Sequence, residues 1–168
     1  MSKKMVIVLV IIVVIGIYVW QHKEINAQVV NAIVRTRGYQ NNNPGNIKQD
    51  GQTWIGEVSP STDPPFKQFK DMGWGYRAMF VNLRGYLRNG INTINNIVAT
   101  WAPPSDNNDT YAYISAVSKD TEVDPDEIIT LQNVDVLKSI AAAISKHENG
   151  VDAIPSQIDD GWVKFQNS

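Results

Sequence analysis

Apolar residues along the chain form one continuous run followed by several periodic ones. Residues 5–20, Met-Val-Ile-Val-Leu-Val-Ile-Ile-Val-Val-Ile-Gly-Ile-Tyr-Val-Trp, carry no charge and as a helix extend about 24 Å at 1.5 Å per residue. With Tyr18 and Trp20 at aromatic-belt positions, this predicts a membrane-spanning helix over 5–22. Lys3 and Lys4, in the short tail 1–4, predict an N-terminus on the inner side. A cleaved signal peptide would begin the same way, but Lys23 and Glu24 intrude before Ala27, the first passable small residue. A buried core helix is the third reading, one seldom so uniformly β-branched. Ile25, Val29, Val30, Ile33 and Val34 then recur at helical spacing, predicting an amphipathic stalk over 23–36 that Gly38 ends. The remainder, 37–168, reads as a domain displayed beyond the membrane.

Within that domain the pattern predicts a mainly α (α+β) fold with one small antiparallel sheet. Residues 47–58, with Gly51 and Gly56 flanking Thr53-Trp54-Ile55, read as a small strand or hairpin, and 66–69 as a short strand after a proline-rich loop. A helix over about 73–88 places Met79, Phe80, Leu83 and Leu87 on one face. Thr93 caps the next, with Ile94, Ile97, Val98 and Trp101 inward and Pro103-Pro104 as its stop. Asp109-Thr110 opens a helix carrying Tyr113, Ile114 and Val117, and Asp124-Pro125 another carrying Ile128, Ile129 and Leu131. The last long helix, about 134–148, turns Leu137, Ile140, Ala141 and Ile144 inward and stops at Gly150.

Composition narrows the chemistry. A net charge of −2 over 168 residues speaks against a nucleic-acid partner, which asks for a strong basic excess. The absence of Cys and the presence of only two distant His, His22 and His147, speak against a metal site; no cofactor is expected.

Residues 37–48, Arg-Gly-Tyr-Gln-Asn-Asn-Asn-Pro-Gly-Asn-Ile-Lys, hold four Asn, two Gly and one Pro, which core packing does not require. Asn offers donor and acceptor and tolerates positive φ, and Pro44 keeps Asn43 out of helix. The stretch reads either as a polar loop shaped to recognise sugar, peptide or backbone, or as a multi-turn surface loop. Glu148 sits at the carboxyl end of the most hydrophobic helix of the domain. There the helix dipole and partial burial would both raise its pKa, as a general acid for glycosidic cleavage requires. The plainer reading is an exposed last-turn residue ahead of Gly150. Glu57 is the second carboxylate candidate, with a strand-end residue as the plainer reading. Tyr39, Trp54, Trp74, Trp101 and Tyr111 fall at loops and element ends, where their rings could stack on sugars or close a core.

Residues 42–48 (Asn-Asn-Pro-Gly-Asn-Ile-Lys), Trp54 with Gly56, and Phe66-Lys67-Gln68-Phe69-Lys70-Asp71 before Gly75-Tyr76-Arg77-Ala78 form a string similar to one in the lysozyme-like superfamily. It resembles the sheet and following helix of bacterial glucosaminidases and lytic transglycosylases. With Trp101-Ala102-Pro103-Pro104 and Asn108-Asp109-Thr110 it also resembles a group of phage virion proteins, some structural and some lytic. In such enzymes the catalytic Glu ends a helix that precedes the Asn-rich strand, yet residues 25–37 here contain no acid. His147-Glu148-Asn149-Gly150 looks like the Glu-Ser-Gly ending of that helix, displaced to the far end of the chain. The expectation is a circularly permuted lysozyme-like domain in which Glu148 enters a cleft opposite 42–47. Together with the predicted anchor, the resemblance implies a virion-associated muramidase or lytic transglycosylase acting on peptidoglycan glycan strands in phage entry or exit. Its site would comprise Glu148 as general acid, Glu57 as second carboxylate, and Tyr39, Asn42, Asn43, Asn46, Trp54, Trp101 and Tyr111 along the substrate. The anchor would lie in a virion membrane or the host inner membrane, with the domain on the periplasmic side and other virion proteins as neighbours. The alternative it implies is a non-catalytic virion structural or wall-binding protein retaining the fold.

Overall fold

A computed structural model of the chain describes residues 15–21, 23 and 36–168. Contacts divide the chain into two units, Met1–Thr36 and Arg37–Ser168. In the first, residues 15–21 and Lys23 are helical and exposed, and no helix among the described residues is long and apolar enough to cross a membrane. Most of the predicted span over 5–22 and nearly all of the predicted stalk over 23–36 lie outside the described residues.

The second unit is mainly helical with one two-stranded sheet. Its elements run α1 (Arg37–Gln40), β1 (Glu57–Val58), β2 (Gln68–Phe69), α2 (Met72–Arg88), α3 (Ile94–Trp101), a 3-10 turn (Pro104–Asp106), α4 (Thr110–Thr121), α5 (Val134–Asn149) and α6 (Pro155–Gln166). Helix α2 is the central element. Asp71 caps its start by accepting from the Trp74 amide, and Met79, Phe80 and Leu83 are buried. The predicted inward faces of α3 and α5 are buried as well, from Ile94, Ile97 and Val98 to Leu137, Ile140, Ala141 and Ile144. Gly150 ends α5 in the left-handed conformation (φ 69), its amide donating to the Lys146 carbonyl.

Three elements depart from the sequence pattern. No helix forms over 124–133: the Ile129 amide donates to the Asn92 carbonyl and the Asn95 amide to the Pro125 carbonyl, so the segment is pinned across the start of α3. Gly38, expected in a loop after a stalk that itself lies outside the described residues, is inside α1, where Asn149 of α5 packs so closely that a side chain would have no room. Helix α6 went unpredicted, although Pro155 at its first turn and the spacing of Ile158, Trp162 and Phe165 are helix signals. Helix α6 packs chiefly on α2, with Trp162 edge-on to Phe80 at 5.0 Å and 90°.

The close seating of α2 on the Asn-rich loop depends on Gly75, where a Cβ would strike the Asn42 carbonyl and the Pro44 ring. Gly75→Ala is expected to destabilise the domain by about 1–3 kcal/mol through overpacking, despite the better helix propensity of Ala. Chemical denaturation of the two proteins checks this; equal midpoints would contradict it.

The sheet pairs Glu57 with Phe69 and Val58 with Gln68, antiparallel, and a separate bridge joins Lys48 to Phe66. Its organising group is Lys67, fully buried, whose ammonium donates to the Gln52 carbonyl (2.7 Å) and pairs with Asp50 (2.8 Å) and Glu57 (3.2 Å). The ammonium also lies 5.3 Å from the centre of the Trp54 ring. Partial burial alone would raise the Asp50 pKa. Hydrogen bonds from Lys67, the Gln52 amide and Trp54 Nε1, with the Lys67 charge, outweigh it and hold the value below the ordinary 3.8. A depressed folded pKa stabilises fully above the ordinary value and ceases to do so as pH falls through the folded one. Acidification below about pH 4 is therefore expected to loosen 50–58, with amide exchange at Gln52 and Trp54 rising ahead of the helices. Exchange that rises uniformly would contradict it.

Candidate functional site

Helix α5, the Asn-rich loop and the α3–α4 connection enclose a groove of about 410 Å3, within the roughly 300–1,000 Å3 range of small-ligand clefts. Its formation starts with the loop. Asn42 and Asn46 both adopt left-handed backbone (φ 50 and 47), the conformation that Asn tolerates best after Gly. Asn43, wholly buried, spends its side chain inside the loop: Nδ2 donates to the Ile47 and Lys67 carbonyls while Oδ1 accepts from the Ile47 amide. Asn149 locks the loop to α5, donating to the Pro44 and Ser145 carbonyls.

Glu148 projects from the last turn of α5 into this groove, half-buried. One carboxylate oxygen accepts from Asn46 Nδ2 at 2.9 Å and the other from the Tyr113 hydroxyl at 3.0 Å. Burial, then the Glu148 charge and the hydrogen bond to it, push the Tyr113 phenol well above its ordinary pKa of 10, so Tyr113 remains a donor. The His147 ring stacks on the Tyr113 ring, with centroids 3.5 Å apart. Three segments far apart in sequence thus meet at one carboxylate, and no ion pair involving Glu148 occurs among the described residues.

One wall is aromatic. Trp101 lies against Gly45, where a Cβ would collide with its ring, and Tyr86 meets Trp101 edge-on at 6.4 Å and 85°. Phe66 lines the groove with the Arg37 guanidinium 4.5 Å over its ring, and Arg37 in turn pairs with Asp63 at 3.1 Å. Asn82, one turn before Tyr86 on α2, and Asn108 add neutral amides.

Of the residues singled out from sequence, Glu148, Asn46 and Trp101 line this groove together. The others lie elsewhere. Glu57 is not a groove residue: its side chain, 3% exposed, accepts from the Trp54 amide and pairs with Lys67, so it belongs to the lysine cluster. Trp54 is held in that cluster through Nε1 to Asp50. Tyr39 packs against the core, with burial raising its phenol pKa. Asn42 donates to the Phe69 carbonyl, and Asn43 is internal to the loop. Tyr111, 85% exposed, does not line the groove. Tyr113, Tyr86, Asn82, Phe66 and Asp106 are groove or Glu148-contact residues that sequence reasoning missed, while Lys48 lines the groove as the last residue of the 37–48 stretch. A signal existed for Tyr113: a tyrosine in the buried register of an amphipathic helix needs a partner for its hydroxyl.

Fold and groove together define a small helical domain that presents a hydrogen-bonded carboxylate at the foot of an aromatic and amide-lined cleft. No protein-family model matches the chain. It is 36% identical over 118 residues to Protein P5 of Pseudoalteromonas phage PM2, an alignment covering 68% of this chain and 71% of that protein. The chain belongs to the family of that phage protein.

Proposed function

We propose that this is a virion-associated peptidoglycan glycosidase of the lysozyme-like type, circularly permuted, with Glu148 as its proton donor. The observation that carries the reading is the Glu148 carboxylate facing Asn46 in one groove, the encounter that a permuted chain order requires. Kinship with a phage protein supports the virion setting. The uncharged run 5–20 supports an anchor over 5–22 in a virion or host inner membrane, the domain lying on the periplasmic side.

On this reading a glycan strand lies along Trp101, Tyr86 and Phe66. Glu148 passes its proton to the bridging oxygen, the bond from that oxygen to the anomeric carbon breaks, and the electron pair leaves with the departing sugar. The anomeric carbon is then captured by a water or by the substrate's own hydroxyl or acetamido group. Among the described residues the other carboxylate lining the groove, Asp106, is paired with Lys48, which favours a one-carboxylate scheme over a two-carboxylate lysozyme. Asn46 suits the neighbouring position: a neutral amide donates to the carboxylate and, rotated, accepts from the carboxylic acid.

A second reading is a non-catalytic wall-binding virion protein. What favours it is that both Glu148 oxygens already tie the loop, α4 and α5 together, a purely structural use, and fold alone does not fix function. Zymography of the full chain in detergent, on purified peptidoglycan, separates the two. Clearing is expected; retention on sacculi without clearing would support the second reading, and neither would remove both.

A further inference from the structure

The two sides of the groove are joined by a salt bridge. Lys48 follows the Asn-rich loop and Asp106 ends the turn Pro104–Asp106; both line the groove, and their side chains meet at 2.7 Å. Both backbones are hydrogen-bonded to their surroundings. Lys48 sits in the bridge to Phe66 beside the Asn43-braced Ile47. Asp106 is held by its amide to the Pro103 carbonyl, with Asn108 donating to that same carbonyl. The charged ends, by contrast, are 59% and 42% exposed. An exposed pair of this kind is weakly held and screened by salt, so it can open by side-chain rotation alone while the walls stay in place.

We infer that Lys48 and Asp106 form an openable crossbar that decides which glycans the groove accepts. Closed, it admits short glycans and strand ends that slide beneath or up to it. Open, it lets the interior of a long strand settle into the groove from the side. The inference rests on the glycan reading of the groove, and neither residue is assigned a part in the chemistry at Glu148.

The test compares the full chain with Lys48→Gln, Asp106→Asn and the exchange Lys48→Asp with Asp106→Lys. Retention on intact peptidoglycan sacculi is measured against affinity for soluble glycan fragments of two or three disaccharides, at low and high salt, with clearing followed in parallel. Each single variant is expected to raise the long-to-short binding ratio by about two- to fivefold, the range that an exposed ion pair can hold back. High salt should do the same to the wild type and nothing to the single variants, and the exchange should return the wild-type ratio and salt response. Single variants that keep the wild-type ratio and salt response overturn the crossbar, as does an exchange that behaves like the singles. Binding ratios that shift as stated without any clearing overturn the glycosidase and leave the crossbar standing; absence of binding to either glycan overturns both.

Discussion

Glu148→Gln is expected to abolish peptidoglycan clearing, by the roughly 10²–10⁴-fold that a positioned general acid supplies, while leaving the fold intact. The argument is geometric. Glutamine keeps the length and shape of the side chain, and its carbonyl oxygen can still accept from the Tyr113 hydroxyl. Its amide nitrogen would then face Asn46 Nδ2, but Asn46 can turn its own amide and present Oδ1, which is buried without a partner in the wild type. The hydrogen-bond network therefore has a way to survive the loss of charge, and the melting temperature should move little. Zymography beside thermal denaturation and sacculus retention makes the comparison. If Glu148→Gln clears as well as the wild type, Glu148 is not the proton donor. If it also loses retention and melts early, the carboxylate serves architecture instead.

Lys67→Met is expected to have the largest effect on stability, about 3–5 kcal/mol, the usual consequence of removing one partner of a buried ion pair. Methionine fills the aliphatic path of the side chain but leaves the Glu57 carboxylate, 3% exposed, without its cation and the Gln52 carbonyl without its donor. The hairpin around Trp54 should loosen first, because Asp50, Gln52, Trp54 and Glu57 all converge on that one ammonium. Adding Glu57→Leu should restore part of the loss by removing the stranded charge. Denaturation midpoints of the single and double variants, with amide exchange at Glu57 and Lys70, whose amides donate to the Trp54 and Gly56 carbonyls, read the effect; a single variant as stable as wild type would show the cluster to be dispensable.

The helices with strong apolar periodicity were legible from sequence because burial and pattern agree. The inward faces predicted for α2, α3 and α5 are those the core uses, and the caps at Thr93 and Asp109 accept the amide bonds their positions imply. Where long-range contacts outweigh local preference, sequence reasoning failed: 124–133 carries helix signals at Asp124-Pro125 yet is held open by bonds to Asn92 and Asn95. Glu57 stands at a strand end, as its plainer reading had it; what the sequence did not show is that its neighbour Lys67 points inward and pairs with it. The groove itself was half legible. Asn46, Trp101 and Glu148 have composition or position to mark them, whereas Tyr86, Asn82 and Phe66 acquire their place only from how α2 and the loop pack. No periodicity in 37–48 could show which of its four Asn would face outward; the left-handed turns at Asn42 and Asn46 decide that.

The bonds from Asn46 to Glu148 and from Asn149 to Pro44 span 102 and 105 positions of the chain. Loop-closure entropy makes such distant pairings late events in folding. As the chain leaves the ribosome, the Asn-rich loop emerges long before the helix that completes it, and the groove has no floor until α5 has been made and docked. Whatever the groove does to its ligand, a nascent or truncated chain lacking α5 cannot do it. The site thus carries its own timing, set by the order in which its two halves are translated.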